Sequence, residues 1–213
     1  MRIIARTGGI ALTNCYLIAD EQAGEAALFD APDNTVSALV DEAAARGWKI
    51  VGLYLTHGHF DHIADHVVVS RRCPGAPVAI GRLDEPKLMG DDPAARMFLL
   101  PFRVQGRRAD VLLDDGDTVR VGQIEFTVMH TPGHSAGHVV YYCAREGVLV
   151  GGDLIIQGAI GRTDFPDSDW KQMNASLQRV MSLPPATRLL PGHGGQSTLE
   201  DERHGNPYVR EAL

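Results

Sequence analysis

Residues 56–62 read Thr-His-Gly-His-Phe-Asp-His and follow directly on the apolar run 50–55. Three imidazoles and a carboxylate in seven positions, set just past a buried-strand pattern, restrict the chain to folds that gather metal-type ligands at a sheet edge. Three more segments repeat the arrangement. His134 follows the extended pattern 124–129, Asp153 follows 148–150, and His193 follows 188–190. Loops at one edge of a sheet can converge although they are distant in sequence, and the glycines and prolines beside each ligand supply the tight turns.

Around these segments the chain reads as one mixed domain over residues 1–213. Strand patterns at 2–5, 15–18 and 26–29 form a meander, and a helix over 34–46 carries Val36, Leu39, Val40, Ala43 and Ala44 on one face, with Asn34 as N-cap and Gly47 as stop. A strand at 50–55 leads into the motif, a helix at 63–72 leaves it, and 77–80 is extended again. Residues 82–108, broken by Pro86, Gly90, Pro93, Pro101 and Gly106, read as a helical or irregular excursion. Extended patterns resume at 117–121, 124–129, 138–143 and 148–150. A helix follows over 169–181, capped by Ser168 or Asp169, and then a strand at 188–190. This order argues for an α/β domain with helices covering the outer faces of two packed sheets.

His57 and His59, two residues apart, leave an extended backbone on the same side and can share one ion, which His134 completes. Asp61 and His62 come after the chain turns, so with His193 they can serve a second ion. Asp153 can give one oxygen to each. Such a nitrogen and oxygen set suits Zn, with Fe or Mn as other candidates. Two ions about 3.5–4 Å apart can share a water and lower its pKa. His66, His130, His138 and His204 lack this context and are expected not to be ligands. Cys15, Cys73 and Cys143 are far apart, with no Cys-x-x-Cys pair, so neither a disulfide framework nor a thiolate site is expected. A formal charge of −7 with interspersed signs gives no basic stripe for nucleic acid. The opening Met1-Arg2-Ile3-Ile4 lacks an apolar leader and no stretch is long enough to span a bilayer, so a cytoplasmic protein without membrane anchoring is expected.

With these residues in hand, the pattern resembles the metallo-β-lactamase superfamily, whose His-x-His-x-Asp-His signature is matched by His57, His59, Asp61 and His62. His134, Asp153 and His193 match its remaining ligands in order. The resemblance implies a four-layer αβ/βα sandwich with a dinuclear site at one edge. Residues 158–166 and 191–209 are similar to the short bacterial branch of hydroxyacylglutathione hydrolases, the glyoxalase II type. That implies two divalent ions, a hydroxide shared between them, a glutathione-linked thioester such as S-lactoylglutathione, and Asp61 orienting the attack or accepting a proton.

The longer members' C-terminal helical glutathione-binding domain has no counterpart before Leu213. Their Gly-Lys-Phe-Tyr segment corresponds to Gly161-Arg162-Thr163-Asp164, leaving Arg162 as the candidate substrate contact or, alternatively, a salt-bridge partner of Asp164 or Asp167. Persulfide dioxygenases share the fold and a similar Gly-Arg-Thr-Asp-Phe segment; they would use one iron on His57, His134 and Asp153. A lactonase or β-lactamase-type hydrolase is a further alternative. The histidine of Pro191-Gly192-His193-Gly194 favours the two-ion hydrolase.

Overall fold

The computed structural model describes residues 1–98 and 104–213. Its first sheet runs in spatial order through β1 (Arg2–Gly8), β2 (Thr13–Asp20), β3 (Glu25–Phe29), β4 (Lys49–Tyr54), β5 (Val78–Gly81) and β6 (Val111–Leu113). The first three strands are antiparallel and β3 to β6 are parallel. The second sheet runs β7 (Thr118–Val121), β8 (Ile124–His130), β9 (Val139–Cys143), β10 (Val148–Gly152), β11 (Arg188–Pro191) and β12 (Ser197–Thr198). Among the described residues only β10 and β11 pair in parallel there, with helix α5 (Trp170–Val180) in the crossover between them.

Three apolar layers hold the sandwich, and the period-two geometry of the strands sorts residues among them. Along β2 and β3, Cys15, Leu17, Ala19, Ala26 and Leu28 face the layer beneath α1 (Val36–Ala45) and α3 (His66–Arg72). Their neighbours Tyr16, Ile18, Ala27 and Phe29 face the second sheet. Because both faces are covered, β2 reads as a continuous apolar run rather than an alternating one. On the far side, Met173, Leu177 and Val180 of α5 pack on Val140, Leu149 and Leu189. Two sheets with helices outside both is the four-layer α/β arrangement expected from the sequence. No helix among the described residues is long and apolar enough to cross a membrane.

Several boundaries differ for identifiable reasons. Asn34 does not cap α1; it sits at φ 62°, which Asn tolerates, and the helix begins one residue later, with Thr35 at the cap. The N–H groups of Thr35 and Val36 are instead accepted by Asp65 Oδ2 from a distant turn, at 3.1 and 3.3 Å. The helix expected over 63–72 is split into α2 (Phe60–Ile63) and α3, with Asp65 between them. The excursion at 82–108 holds a 3-10 turn, the short α4 (Glu85–Leu88) and a second 3-10 turn over Ala95–Met97; residues 99–103 lie outside the described part. Beyond β11, the segment after Gly194 forms β12, α6 (Leu199–Gly205) and α7 (Pro207–Ala212). His204 therefore lies on a helix started by a Thr198–Asp201 capping box, not in a charged tail.

Phe29 is fully buried between the sheets, with ring centroids of Tyr54, Phe126 and Tyr141 at 5.4, 5.1 and 5.2 Å. Phe29→Ala should therefore cost about 3–5 kcal/mol of unfolding free energy in urea titration, through lost transfer and an unfilled cavity.

Candidate metal centre

All the ligand-type side chains sit past the C-terminal ends of strands on one edge of the sandwich. His57, His59, Asp61 and His62 follow β4 and run into α2; His134 follows β8, Asp153 follows β10 and His193 follows β11. The two sheets are pinned together there by Val139 N–H on Thr56 O and by the Tyr141 hydroxyl on Leu55 O, at 2.8 and 2.6 Å. Among the described residues the result is three overlapping ligand groups: His57, His59 and His134; His57, His62 and Asp153; and Asp61, His62 and His193. His59 Nδ1 and His134 Nε2 are 2.9 Å apart. Asp153 lies between the groups, with Oδ1 3.4 Å from His62 Nε2 and Oδ2 3.5 and 3.3 Å from the Nε2 atoms of His134 and His193.

Hydrogen bonds on the opposite side of each ring fix which nitrogen faces inward. His134 Nδ1–H donates to Arg162 O, and His193 Nδ1–H to Ala11 O, so each presents Nε2. His62 Nδ1–H donates to Asp30 Oδ2 at 2.9 Å. Thr56 accepts from His57 Nδ1–H at 3.0 Å, while its own hydroxyl donates to Asp30. The Nε2 atoms of His57 and His62 and Asp153 Oδ1 are consequently buried without a hydrogen-bond partner. Buried nitrogens and a carboxylate oxygen without hydrogen-bond partners are costly in a protein interior, and a divalent cation would satisfy them together. The residues thus fit a metal centre.

The charges are consistent with that fit. Burial, reinforced by the neighbouring imidazoles, holds His57 and His59 well below the usual imidazole range, and burial lowers His134 as well. These rings are neutral, as ligands must be. Burial works against ionisation of Asp61 and Asp153, but His62 and His193 outweigh it and hold both carboxyls below the ordinary range. The converse applies at His62 and His193: burial opposes their charge, yet Asp153 and Asp61 push His62 well above the usual imidazole range and His193 up to about 10, so protons on these rings balance the carboxylates and leave when a cation binds.

Residues 8–193 match the model of the metallo-β-lactamase superfamily. The chain belongs to that superfamily. A relative described as a probable metallo-hydrolase of Burkholderia pseudomallei is 33% identical, over 94% of this chain and 78% of that one. The hydroxyacylglutathione hydrolase GloC of Haemophilus influenzae is 27% identical over 92% of each. Among solved structures, the BLEG-1 B3 metallo-β-lactamase aligns with TM-score 0.89 and 32% identity over 98% of this chain and 99% of that one. TTHA1623 in a di-iron-bound form gives 0.83 and 35% over 96% and 99%. ETHE1 from Myxococcus xanthus gives 0.80 and 28% over 100% and 88%. The protein is a metallo-hydrolase of this superfamily, whose fold implies divalent metals.

Over the superfamily's ligand edge opens a cleft of about 260 Å³. Phe60, Phe98, Phe165, Ile156 and Ile160 make an apolar wall facing His59, Asp61, His134, Asp153 and His193. Arg162 lines it too, but its Nε and Nη2 both bond Asp164, at 2.8 Å each, and its guanidinium lies 4.6 Å over the Phe165 ring. The salt-bridge alternative for Arg162 is thus present, with Asp164 rather than Asp167 as partner.

Of the histidines set aside, His66 bonds Ile63 O, His130 bonds Ala136 O and His204 bonds Glu200 O, and none joins a ligand group among the described residues. His138 also stays outside these groups but supports one of their members. Burial and His134 push it down to about 3, so it is neutral. Its Nε2 accepts Asp153 N–H at 3.1 Å while Nδ1–H donates to Thr131.

Asp30 and Thr13 support the ligands and escaped the sequence reading. Asp30, at the end of β3 with φ 61°, accepts from Thr56 N–H at 2.7 Å and Thr56 Oγ–H as well as from His62. Thr13 donates its hydroxyl to Asp61 Oδ2 at 2.7 Å. Asp30 lies past a strand on the ligand edge, which was its one signal; Thr13 had none. Asp30→Asn keeps the volume but sets an amide N–H₂ against His62 Nδ1–H or Thr56. Zinc affinity, measured by competition with a chromophoric chelator, should fall roughly 10–100-fold.

Proposed function

We propose that this metallo-hydrolase cleaves the thioester of an S-acylglutathione, S-lactoylglutathione being the test substrate, with two zinc ions held by His57, His59, Asp61, His62, His134, Asp153 and His193. The observation that carries this reading is the second ligand group of Asp61, His62 and His193 beside the three-imidazole group, with Asp153 between them. A one-ion reaction need not use the second group. The likeness to GloC supplies the substrate class. Ions bound in these groups would supply an acidified water and a Lewis acid for the carbonyl oxygen.

The chain's own residues do the rest. The apolar wall of Phe60, Phe98 and Phe165 holds the acyl-thiol portion against the ligand edge and limits access of bulk water. An ion in the second group would itself keep Asp61 ionised, and Thr13 fixes one of its oxygens. It is thereby set to orient the attacking water and accept its proton. The departing thiolate needs little acid assistance, since free thiols ionise near pH 8.5. Arg162 contacts the carrier, weakly, because Asp164 already neutralises it. Three free cysteines accord with a reducing cytoplasmic setting.

The second reading, a one-iron persulfide dioxygenase on His57, His134 and Asp153, is favoured by the Gly161–Phe165 segment and the likeness to ETHE1. Metal analysis, S-lactoylglutathione hydrolysis and O₂ uptake on glutathione persulfide separate the two. Two ions per chain and thioester cleavage are expected. His193→Ala should lose one ion and slow turnover by roughly two orders of magnitude, as when a transition-state charge stabiliser is removed. One iron per chain with O₂ uptake would overturn the hydrolase.

A further inference from the structure

Away from the metal-facing side chains, the turn between β5 and α4 buries an ionic cluster that neither the superfamily match nor the proposed reaction uses. Asp84 is completely buried. Its Oδ2 accepts from Gly58 N–H at 2.8 Å and Ser135 Oγ–H at 2.7 Å; its Oδ1 accepts from Gly137 N–H and Lys87 Nζ, both at 2.8 Å. Gly58 is the residue between His57 and His59, and Ser135 and Gly137 follow His134. One carboxylate therefore grips both loops that carry the three-imidazole group.

We propose that Asp84, charge-balanced by Lys87, is a positioning residue that sets the spacing of His57 and His59 against His134, and so selectively governs the first metal site. Two glycines testify to how close the contact is. A Cβ at Gly58 would lie 2.6 Å from Lys87 Cβ, and one at Gly137 would lie 2.3 Å from Asp84 N. No larger residue fits either place without moving the turn, which explains why the position between the first two histidines of the motif is glycine. Lys87 also bonds Asp167 Oδ2 at 2.5 Å, and the same oxygen accepts Ala136 N–H at 3.4 Å, so the grip extends to the segment carrying Phe165.

The second group hangs on different supports. His62 is held by Asp30, Asp61 by Thr13 and His193 by Ala11 O. Asp30 also reaches the first group, through Thr56 and His57, but Asp84 and Lys87 bond none of the three second-group supports among the described residues. Disturbing Asp84 should accordingly weaken one site and spare the other, whereas a residue that merely stabilised the fold would affect both.

The inference rests on the two-ion reading, which a separate measurement checks: metal-free His193→Ala protein should bind one Zn²⁺, at the first site. Asp84→Asn is then introduced into two backgrounds, His193→Ala and His134→Ala, which leave the first or the second site as the intact one. Zn²⁺ alone is titrated calorimetrically. The dissociation constant should rise roughly 10–100-fold in the His193→Ala background and by less than about threefold in the other. Equal weakening in both backgrounds, or none in either, overturns the proposal. If Asp84→Asn does not fold, Ser135→Ala in the same backgrounds decides. It removes one of four bonds and should weaken the first site alone by about fivefold; no change there, or the same change in both, overturns the proposal. No substrate enters these titrations, so they stand apart from the thioester assignment.

Discussion

The structure turns on a local conflict: imidazoles and carboxylates are gathered in a dry pocket, with the Nε2 atoms of His57, His59 and His62 and Asp153 Oδ1 left without hydrogen-bond partners. Buried polar atoms do not go unpartnered on their own account, since each has given up water. Everything around the pocket holds the conflict in place. Asp30 and Thr56 grip His62 and His57 from behind, Arg162 O and Ala11 O grip His134 and His193, and neutral His138 fixes the backbone of Asp153. Three apolar layers then hold the loops that deliver these groups.

How much of this was legible depended on whether the signal was local. The ligand segments were readable because each couples a strand pattern to a polar residue within a few positions, and strand ends share an edge. Asp30 obeys the same rule but resembles an ordinary turn aspartate in Phe-Asp-Ala-Pro-Asp, because its role depends on His62, which is 32 residues away. Asp84 and Lys87 lay in a segment whose prolines and glycines hid its periodicity, and their burial arises only when two distant loops close over them. Asn34 was a reasonable cap by residue type, but a tertiary acceptor, Asp65, took that role. The final helices were missed although Thr198 and Asp201 spell a capping box, because the intervening charges resembled a solvated tail.

The cleft adds a chemical asymmetry to the site. Its floor is ionic and densely ligating, while its wall is aromatic and aliphatic. Arg162, the cation at its rim, is already paired with Asp164 and stacked on Phe165. On the proposed reading, recognition would lean on shape and apolar contact near the reacting bond more than on attraction for distant carboxylates. This is compatible with many reactions on one scaffold, because the floor can stay constant while the wall varies.

The ligand groups are also divided between the two sheets: His57 to His62 leave the first, whereas His134, Asp153 and His193 leave the second. An ion seated between them is therefore a crosslink between two halves of the molecule as well as a reagent. The last donor arrives with β11, some 136 residues after the first, so the link closes a long loop of chain. The same division makes loss of the ions and parting of the sheets mutually reinforcing. A chelator would act on this protein as a mechanical agent, loosening the seam of the sandwich.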